Sequence, residues 1–264
     1  MRILVVGMGL IGGSICKSIK AATSHAVYGC DVQQAVLDDA IADGAIDGTG
    51  TMTDGTYDMI ILCLHQRIAI QMVQEALPKI PAGTILVDTC GLKGRMVRDL
   101  TYRCRKADVR YVGTHPMAGR EKNGYYASIP NLFQNANLIV TPVDGTDEAA
   151  LDTVKELADQ MGFGKIVTAT PMWHDNMIAY TSQLAHVVSS SYVKDFCMDD
   201  ALSFSGGSFQ DMTRVATMDE SMWAALFLDN RDNLLYHLDL LIENLTDYRD
   251  ALKQRDEERL QYLI

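Results

Sequence analysis

The chain has 264 residues, of which 48% are hydrophobic and 22% are charged, and its formal net charge at pH 7 is −11. This length is sufficient for one large domain or two moderate ones. The acidic balance argues against nucleic acid or an anionic membrane as the main partner, because both favour basic surfaces.

The cysteines and the N-terminus indicate the compartment. Six cysteines are scattered along the chain without a C-x-x-C pair, so we expect a reducing environment with neither a disulfide framework nor a zinc site. Glycines 7, 9, 12 and 13 interrupt the N-terminal apolar run, which weakens its interpretation as a secretory signal. No apolar run approaches the roughly 20 residues of a membrane span. We therefore expect a cytoplasmic protein.

Residues 1–169 alternate short β-rich runs with helical patterns. The predicted strands are Ile3–Val6, Val27–Cys30, Met59–Leu64, Ile85–Asp88, Arg110–Gly113, Leu138–Thr141 and Ile166–Thr168. Helical segments between them include Ser14–Ala22, Ala35–Asp43, Ile68–Ile80 and Glu148–Met161. This alternation predicts an α/β domain, with a parallel sheet covered by helices on both faces.

Residues 170–264 contain no predicted strand. Pro171 can open a helix at its first turn, and a Ser/Gly-rich break at Ser203–Asp211 divides the region. From Ser221 onward a long helix is predicted from apolar residues that mostly recur at steps of three and four: Phe227, Leu234, Leu238, Leu241, Leu245, Tyr248 and Leu252. This stripe faces either the core or a second subunit, and we favour a dimerisation surface.

The first strand and helix carry a dinucleotide-binding pattern. Gly7, Gly9 and Gly12 form G-x-G-x-x-G between a β-run and a helical run, where a helix N-terminus can bind a pyrophosphate. Leu10 and Ile11 complete the predicted cofactor-binding turn. Asp31 follows the second strand at the position that accepts the hydroxyls of an adenosine ribose, and Val32 supplies no arginine for a 2′-phosphate. The sequence therefore favours a Rossmann-type domain that binds NAD rather than NADP.

A histidine stands at the end of the fifth predicted strand. In Tyr111–Gly119, YVGTHPMAG, Pro116 restricts the backbone of His115, which we place beyond the strand interior. The carboxyl edge of a parallel sheet is where ligands bind in open α/β folds. A histidine has a pKa near neutrality, so His115 is a candidate acid–base group, although ordinary turns also hold histidines in this way.

Six motifs, in this order, resemble those of prephenate and arogenate dehydrogenases. They are GLIGGS, VDTCGLKG (Val87–Gly94), GTHPMAG, WHD (Trp173–Asp175), SQLAH (Ser182–His186) and GGSFQDMTRVA (Gly206–Ala216). The resemblance spans nearly the whole chain, and GTHPMAG and DMTRVA are its most specific parts. It implies an N-terminal Rossmann domain (1–169) and an all-helical substrate and dimerisation domain (170–264).

The resemblance also implies a reaction. Hydride leaves C4 of a cyclohexadienol for NAD, a base takes the hydroxyl proton, and carbon dioxide is lost, giving 4-hydroxyphenylpyruvate from prephenate or tyrosine from arogenate. It assigns His115 as the base, Arg214 as the contact for a substrate carboxylate, and His186 as a second substrate-binding residue, and it implies a homodimer. A planar guanidinium suits a carboxylate. His174, beside Asp175, is interpreted as a residue that orients or caps the first turn of its helix, and it is left outside the site.

Some positions depart from the family pattern. Gly91 stands where a serine is frequent, so a hydrogen bond to the substrate hydroxyl is either missing or supplied by Thr89, Cys90 or water. Gln183 stands where histidine is common, and His65 replaces a frequent proline and is a minor rival to His115. Lys93 is kept, without an assigned role.

Two alternatives remain open. One is a two-domain reductase of a β-hydroxyacid or an imine, which would not respond to prephenate. The other is a sensor that binds NAD without turnover, in which His115 would be dispensable.

Overall fold

A computed structural model describes residues 1–120 and 122–264. The chain divides into two compact units, Met1–His174 and Asp175–Ile264. The first unit ends at His174, whereas the sequence predicts a domain boundary after residue 169.

Within the described residues, eight strands of the first unit form one sheet. They are β1 (Arg2–Val6), β2 (Ala26–Cys30), β3 (Gly48–Thr49), β4 (Met59–Leu62), β5 (Ile85–Asp88), β6 (Arg110–Pro116), β7 (Asn137–Val140) and β8 (Lys165–Thr168). Their order is β3-β2-β1-β4-β5-β6-β7-β8. The chain order reverses between β1 and β4, and this kind of switch point opens a ligand crevice at the carboxyl edge of a sheet.

In the part of the first unit that the structure describes, five α-helices cover the two faces of the sheet: α1 (Leu10–Ala22), α2 (Gln34–Ala42), α3 (Gln66–Ala76), α4 (Gly94–Lys106) and α5 (Glu148–Gln160). Alternate residues of β1 point to opposite faces, so Ile3 and Val5 join one core cluster, while Leu4 and Val6 join the other. The predicted α/β class is confirmed.

The prediction of an all-parallel sheet is wrong at one pair of strands. β6 and β7 are antiparallel, with Thr114 opposite Val140 and Pro116 opposite Leu138, whereas the other pairs are parallel. Parallel neighbours need a long crossover, usually a helix. The described residues between β6 and β7 form only a short 3₁₀ turn at Tyr125–Ala127, and the chain returns along the same edge.

The second unit is helical. Helix α6 (Pro171–Ile178) leads into it through a π-helical turn at Ala179–Gln183. The helices that follow are α7 (Leu184–Tyr192), α8 (Met198–Ala201), α9 (Gly207–Thr213), α10 (Glu220–Asp229), α11 (Arg231–Gln254) and α12 (Glu257–Leu263). In the described residues, none of the helices combines the length and apolar content that crossing a membrane requires.

The helix predicted from Ser221 onward is broken at Asn230, which separates α10 from α11. The Asn230 side chain is buried, and its Nδ2 donates hydrogen bonds of 2.8 Å to the carbonyl of Asp175 and to Oε1 of Gln183. The break thus coincides with a buried side chain whose hydrogen-bond partners lie about fifty residues away in sequence.

The apolar stripe of this helical region has two parts. Leu234 is buried, and Phe227, Leu238 and Leu241 pack around it with Ala179 and Leu184. By contrast, Leu245 and Leu252 are 58% and 62% exposed. The first half of the stripe thus faces the core of the second unit, and the second half presents apolar side chains at the surface.

Candidate active site

The turn between β1 and α1 depends on two of its glycines for backbone packing. Gly7 has φ +92°, and a Cβ there would lie 2.5 Å from the carbonyl oxygen of Cys63. A Cβ on Gly12 would lie 1.9 Å from the carbonyl oxygen of Gly7. A larger residue at position 7 would displace the backbone that follows β4, and one at position 12 would push α1 away from the turn.

Gly9 has a different environment. It is the N-cap of α1, and a Cβ added to it would meet no atom within 4 Å. The space beside Gly9 therefore lies open at the N-terminus of α1, where Leu10 and Ile11 form the first turn and are half-buried. Unpaired N–H groups and the positive end of the helix dipole make this position suitable for a phosphate.

Asp31 lies directly after β2. Its Oδ2 accepts the N–H of Met8 at 2.7 Å, and its Oδ1 accepts the N–H of Gln33 at 2.9 Å. The first of these bonds ties the end of β2 to the glycine turn. Because each carboxylate oxygen has further lone pairs, Asp31 can still accept hydrogen bonds from the hydroxyls of a ribose.

His115 lies inside β6 and not beyond the strand as the sequence predicts. The strand continues to Pro116, and His115 is paired with Ile139 of β7. The antiparallel neighbour explains the difference, because it extends the ladder past Gly113, where the pairing with β5 ends. The backbone of His115 is thereby fixed by the sheet as well as by the proline.

The side chain of His115 contacts a second histidine. Its Nδ1 lies 2.9 Å from Nε2 of His174, and the two rings are arranged edge to face with centroids 5.1 Å apart. His174 is 1% exposed, and its backbone N–H is bonded to the carbonyl of Thr170 at the start of α6. His174, which the sequence analysis leaves outside the site, thus contacts the candidate base directly.

A buried polar network lies directly before His115 in the sheet. Lys93, fully buried, donates hydrogen bonds to Asp88 and, at 2.5 Å, to the carbonyl of Thr114. Asp88 also accepts the Tyr111 hydroxyl at 2.6 Å and the N–H of Cys90 at 2.9 Å. This network gives Lys93 a structural role, because it connects the end of β5, the start of α4 and the peptide that precedes His115.

The surroundings of His115 favour its neutral form. Burial lowers the pKa of His115 well below its usual value, and the positive charge of Lys93 and the neighbouring His174 lower this pKa further. A neutral imidazole is the form that can accept a proton.

Gly91 leaves space beside the imidazole. A Cβ on Gly91 would lie 3.9 Å from Nε2 of His115 and would meet no other atom within 4 Å. Gly91, which stands where the motif resemblance implies a serine, therefore lies next to the imidazole, and no side chain fills the space there. His65, the minor rival, is exposed and is the N-cap of α3.

The other two predicted site residues belong to the second unit. Arg214 is exposed and follows α9, with its N–H bonded to the carbonyl of Gln210 at 3.0 Å. His186 is half-buried on α7; its Nδ1 lies 2.8 Å from the carbonyl of Ser182, and its ring stacks on Trp223 with centroids 3.8 Å apart. Their assignment as substrate contacts stays a prediction.

These features define a class of protein. A doubly wound sheet with a glycine turn, a ribose-type carboxylate and a neutral histidine near its carboxyl edge is characteristic of dinucleotide-dependent oxidoreductases.

Comparison with known proteins identifies the family. Residues 15–168 match the model of the "prephenate dehydrogenase, nucleotide-binding domain", and residues 170–264 match that of the "prephenate dehydrogenase, dimerization domain". The chain belongs to the prephenate dehydrogenase family of oxidoreductases, as the motif resemblance predicted.

Individual relatives match along most of their length. The chain is 31% identical to a cyclohexadienyl dehydrogenase of Zymomonas mobilis, over 98% of this chain and 91% of the relative. It is 29% identical to a prephenate dehydrogenase of Bacillus subtilis, over 98% and 72% of the two chains. The structure of the Aquifex aeolicus prephenate dehydrogenase in complex with hydroxyphenyl propionate and NAD⁺ superposes with a TM-score of 0.87 at 28% identity, covering 100% of this chain and 95% of that one.

Proposed function

We propose that this protein oxidises prephenate or arogenate with NAD in tyrosine biosynthesis, with His115 as the base. The observation that carries this proposal is the position of His115: its Nδ1 contacts His174, while its Nε2 faces the open side at Gly91. Membership of the family supplies the reaction type, and the structure supports a neutral imidazole in a suitable place.

The cofactor residues fit a dinucleotide. In this proposal the N-terminus of α1, opened by Gly9, binds the pyrophosphate, and Asp31 binds the adenosine ribose. The carboxylate would repel a 2′-phosphate, and Val32 beside it is 99% exposed and carries no charge. Bound NAD supplies the acceptor for the hydride that leaves C4 of the substrate.

His115 moves the proton. Nε2 accepts the proton of the 4-hydroxyl as hydride leaves C4, and a carbonyl forms there. The bond to the ring carboxylate then breaks, its electron pair makes the ring aromatic, and carbon dioxide leaves. The proton on His115 can return to the phenolate oxygen. A positioned group of this kind contributes on the order of 10²–10⁴ in rate.

The second unit supplies the remaining roles in the proposal. We assign the substrate carboxylate to Arg214, whose guanidinium can bind it in a bidentate manner, and a further substrate contact to His186. The match to a dimerization domain and the exposed Leu245 and Leu252 support a homodimer. The cytoplasmic location expected from the composition stays a prediction.

The direct test uses the purified protein with prephenate or arogenate and with NAD or NADP, followed by the absorbance of the reduced cofactor. We expect turnover of at least one substrate, with NAD preferred. His115→Asn should lower kcat by about 10²–10⁴ and leave the Kd for NAD unchanged.

His65→Asn is the matched control, because His65 is the other histidine considered for this role, and it should retain kcat. A fall in kcat for His65→Asn alone would transfer the role to that residue. Binding of NAD without oxidation of either substrate would instead favour the sensor, or a reductase of another hydroxyacid or imine.

A further inference from the structure

The pair formed by His115 and His174 places a strict condition on the base. At 2.9 Å, Nδ1 of His115 and Nε2 of His174 share one hydrogen, so one ring donates and the other accepts. If His174 donates, His115 carries its own hydrogen on Nε2 and cannot accept a proton there. If His115 donates, its Nε2 has a lone pair.

The position of Gly91 indicates which ring nitrogen of His115 can accept the substrate proton. The nitrogen that faces the open side at Gly91 is Nε2 of His115. A substrate hydroxyl can approach on that side, whereas Nδ1 is occupied by His174. Only the arrangement in which His115 donates is competent for the reaction.

We propose that His174 is a positioning residue: its Nε2 accepts Nδ1–H of His115, which holds the hydrogen on Nδ1 and leaves Nε2 unprotonated toward the substrate. This inference rests on the proposed function for its catalytic consequence, although the pairing itself involves only the protein's own side chains. Which ring nitrogen carries hydrogen is generally set by the bond that the other nitrogen makes.

The charged groups around the pair agree with this arrangement. Lys93, at the start of α4, forms an ion pair with Asp88 of β5. Asp88 also accepts a hydrogen bond from the hydroxyl of Tyr111 on β6. Burial, the positive charge of Lys93 and the neighbouring His174 all disfavour an additional proton on the His115 ring. His115 is therefore neutral at rest and holds one hydrogen, which the contact with His174 can keep on Nδ1.

Burial makes His174 suitable for this task. At 1% exposure the ring cannot exchange its partner for solvent, and the bond from its N–H to Thr170 fixes the backbone at the start of α6. When His115 takes up the substrate proton, its Nδ1–H becomes a stronger donor, so the bond to His174 strengthens as positive charge develops.

The test compares two substitutions in the full-length protein. In His174→Gln, the amide oxygen can lie near the position of Nε2 and still accept Nδ1–H. His174→Phe keeps a ring but removes the acceptor. We expect kcat to fall about 10–100-fold in His174→Phe, as for a lost hydrogen bond to a charged group, with KM and NAD affinity unchanged and with most of the activity retained in His174→Gln.

A second measurement reads the hydrogen directly. Two-bond ¹H–¹⁵N correlation spectra should show His115 of the wild type protonated at Nδ1 and unprotonated at Nε2, and the same form in His174→Gln. His174→Phe should lose this preference. A merely structural role for His174 would leave the tautomer of His115 unchanged.

The outcomes separate this inference from the proposed function. If neither prephenate nor arogenate is oxidised, the proposed function fails, while the ring tautomers still decide the pairing. A hydrogen on Nε2 of His115 in the wild type, or loss of kcat in His174→Gln equal to that in His174→Phe, overturns the inference. If His174→Phe does not fold, the tautomer of His115 in the wild type and in His174→Gln, together with the kcat of His174→Gln, decides whether the inference holds.

Discussion

Asp31 combines two tasks in one carboxylate. It accepts the N–H of Met8 and thereby fixes the glycine turn, and in the proposed function it also selects the cofactor. Because the backbone N–H groups of Met8 and Gln33 are bonded to its two oxygens, the carboxylate is oriented by the protein's own backbone. Binding then requires little reordering of this side chain.

Asp31→Asn separates these two tasks. The amide oxygen still accepts the N–H of Met8, while the negative charge is lost, so we expect the KM for NAD to rise about tenfold and the preference over NADP to narrow. Initial rates with both cofactors check this result. Asp38→Asn, which removes an exposed charge of α2, is the control and should change neither cofactor's KM.

Breaking the ion pair between Lys93 and Asp88 should lower the free energy of unfolding. Both side chains are fully buried, so Lys93→Met leaves the Asp88 charge uncompensated, and we expect a loss of about 3–5 kcal/mol in the free energy of unfolding. Urea unfolding measures this loss. Lys20→Met breaks the exposed pair with Asp47 and should cost only about 0–1 kcal/mol.

The Lys93 experiment has a clear contrary outcome. Adding Asp88→Asn to Lys93→Met removes the stranded charge, so the double variant should be no less stable than Lys93→Met alone. If the losses in the free energy of unfolding of Lys93→Met and Asp88→Asn simply added in the double variant, Lys93 would stabilise the protein by something other than its charge interaction with Asp88.

At the scale of elements, the turn from β1 to α1 contains two glycines with opposite requirements. A Cβ on Gly12 would clash with the backbone of Gly7, whereas one on Gly9 would point into open space. In the G-x-G-x-x-G pattern, Gly12 is therefore required for packing within the protein, whereas the space beside Gly9 can accommodate a ligand.

Gly9→Ala and Gly12→Ala should behave differently for this reason. We expect Gly9→Ala to keep the free energy of unfolding and to weaken NAD binding, because the methyl group enters the space proposed for the pyrophosphate. Gly12→Ala should destabilise the protein by about 1–3 kcal/mol or more, since backbone must move. Thermal unfolding and NAD titration distinguish them; equal stability of both variants would contradict this account of the turn.

Helix α11 illustrates how one periodic stripe can serve two environments. Leu234 and Leu241 pack in the second unit, while Leu245 and Leu252 further along the helix are exposed. A hydrophobic period identifies a face of a helix, but it does not state what covers that face. Burial in the folded chain is needed to divide the stripe.

For the whole molecule, the exposed part of α11 predicts association. Leu245→Asp should shift the proposed dimer toward monomer, because a charge in an apolar interface must be desolvated. Sedimentation equilibrium across a dilution series checks this shift. Glu243→Gln is the control. Glu243 lies two residues before Leu245, and at about 100° per residue its side chain points to the opposite side of α11. This substitution should leave the association unchanged. A monomeric wild type would contradict the proposed dimer.

The response of global stability to acid follows from His115. Its pKa is lowered by burial and by Lys93, so between the ordinary value and the lowered one the unfolded chain binds more protons than the folded chain. The free energy of unfolding should therefore decrease as the pH falls below the ordinary histidine range. Urea unfolding at several pH values should give a smaller decrease for His115→Asn; an identical decrease would exclude His115 as a source.

The sequence by itself determined the α/β fold class and the order of most elements, and it predicted the residues proposed here to bind the dinucleotide. Gly7, Gly9, Gly12 and Asp31 lie within one β-α-β unit, where local backbone geometry and hydrophobic period fix the placement. It also predicted His115 as a site residue, but it placed that residue beyond its strand. The short β3 and the basic, weakly apolar α4 were absent from the predicted elements.

Only the tertiary structure decided what surrounds His115. His174 lies 59 positions further along the chain and Lys93 contacts the peptide of Thr114 across 21 positions, while the antiparallel β7 extends the strand. Periodicity encodes which face of an element is buried, because burial depends on the side chain's own polarity. Which polar groups meet inside depends on how separate elements pack, and that information is distributed over the whole fold.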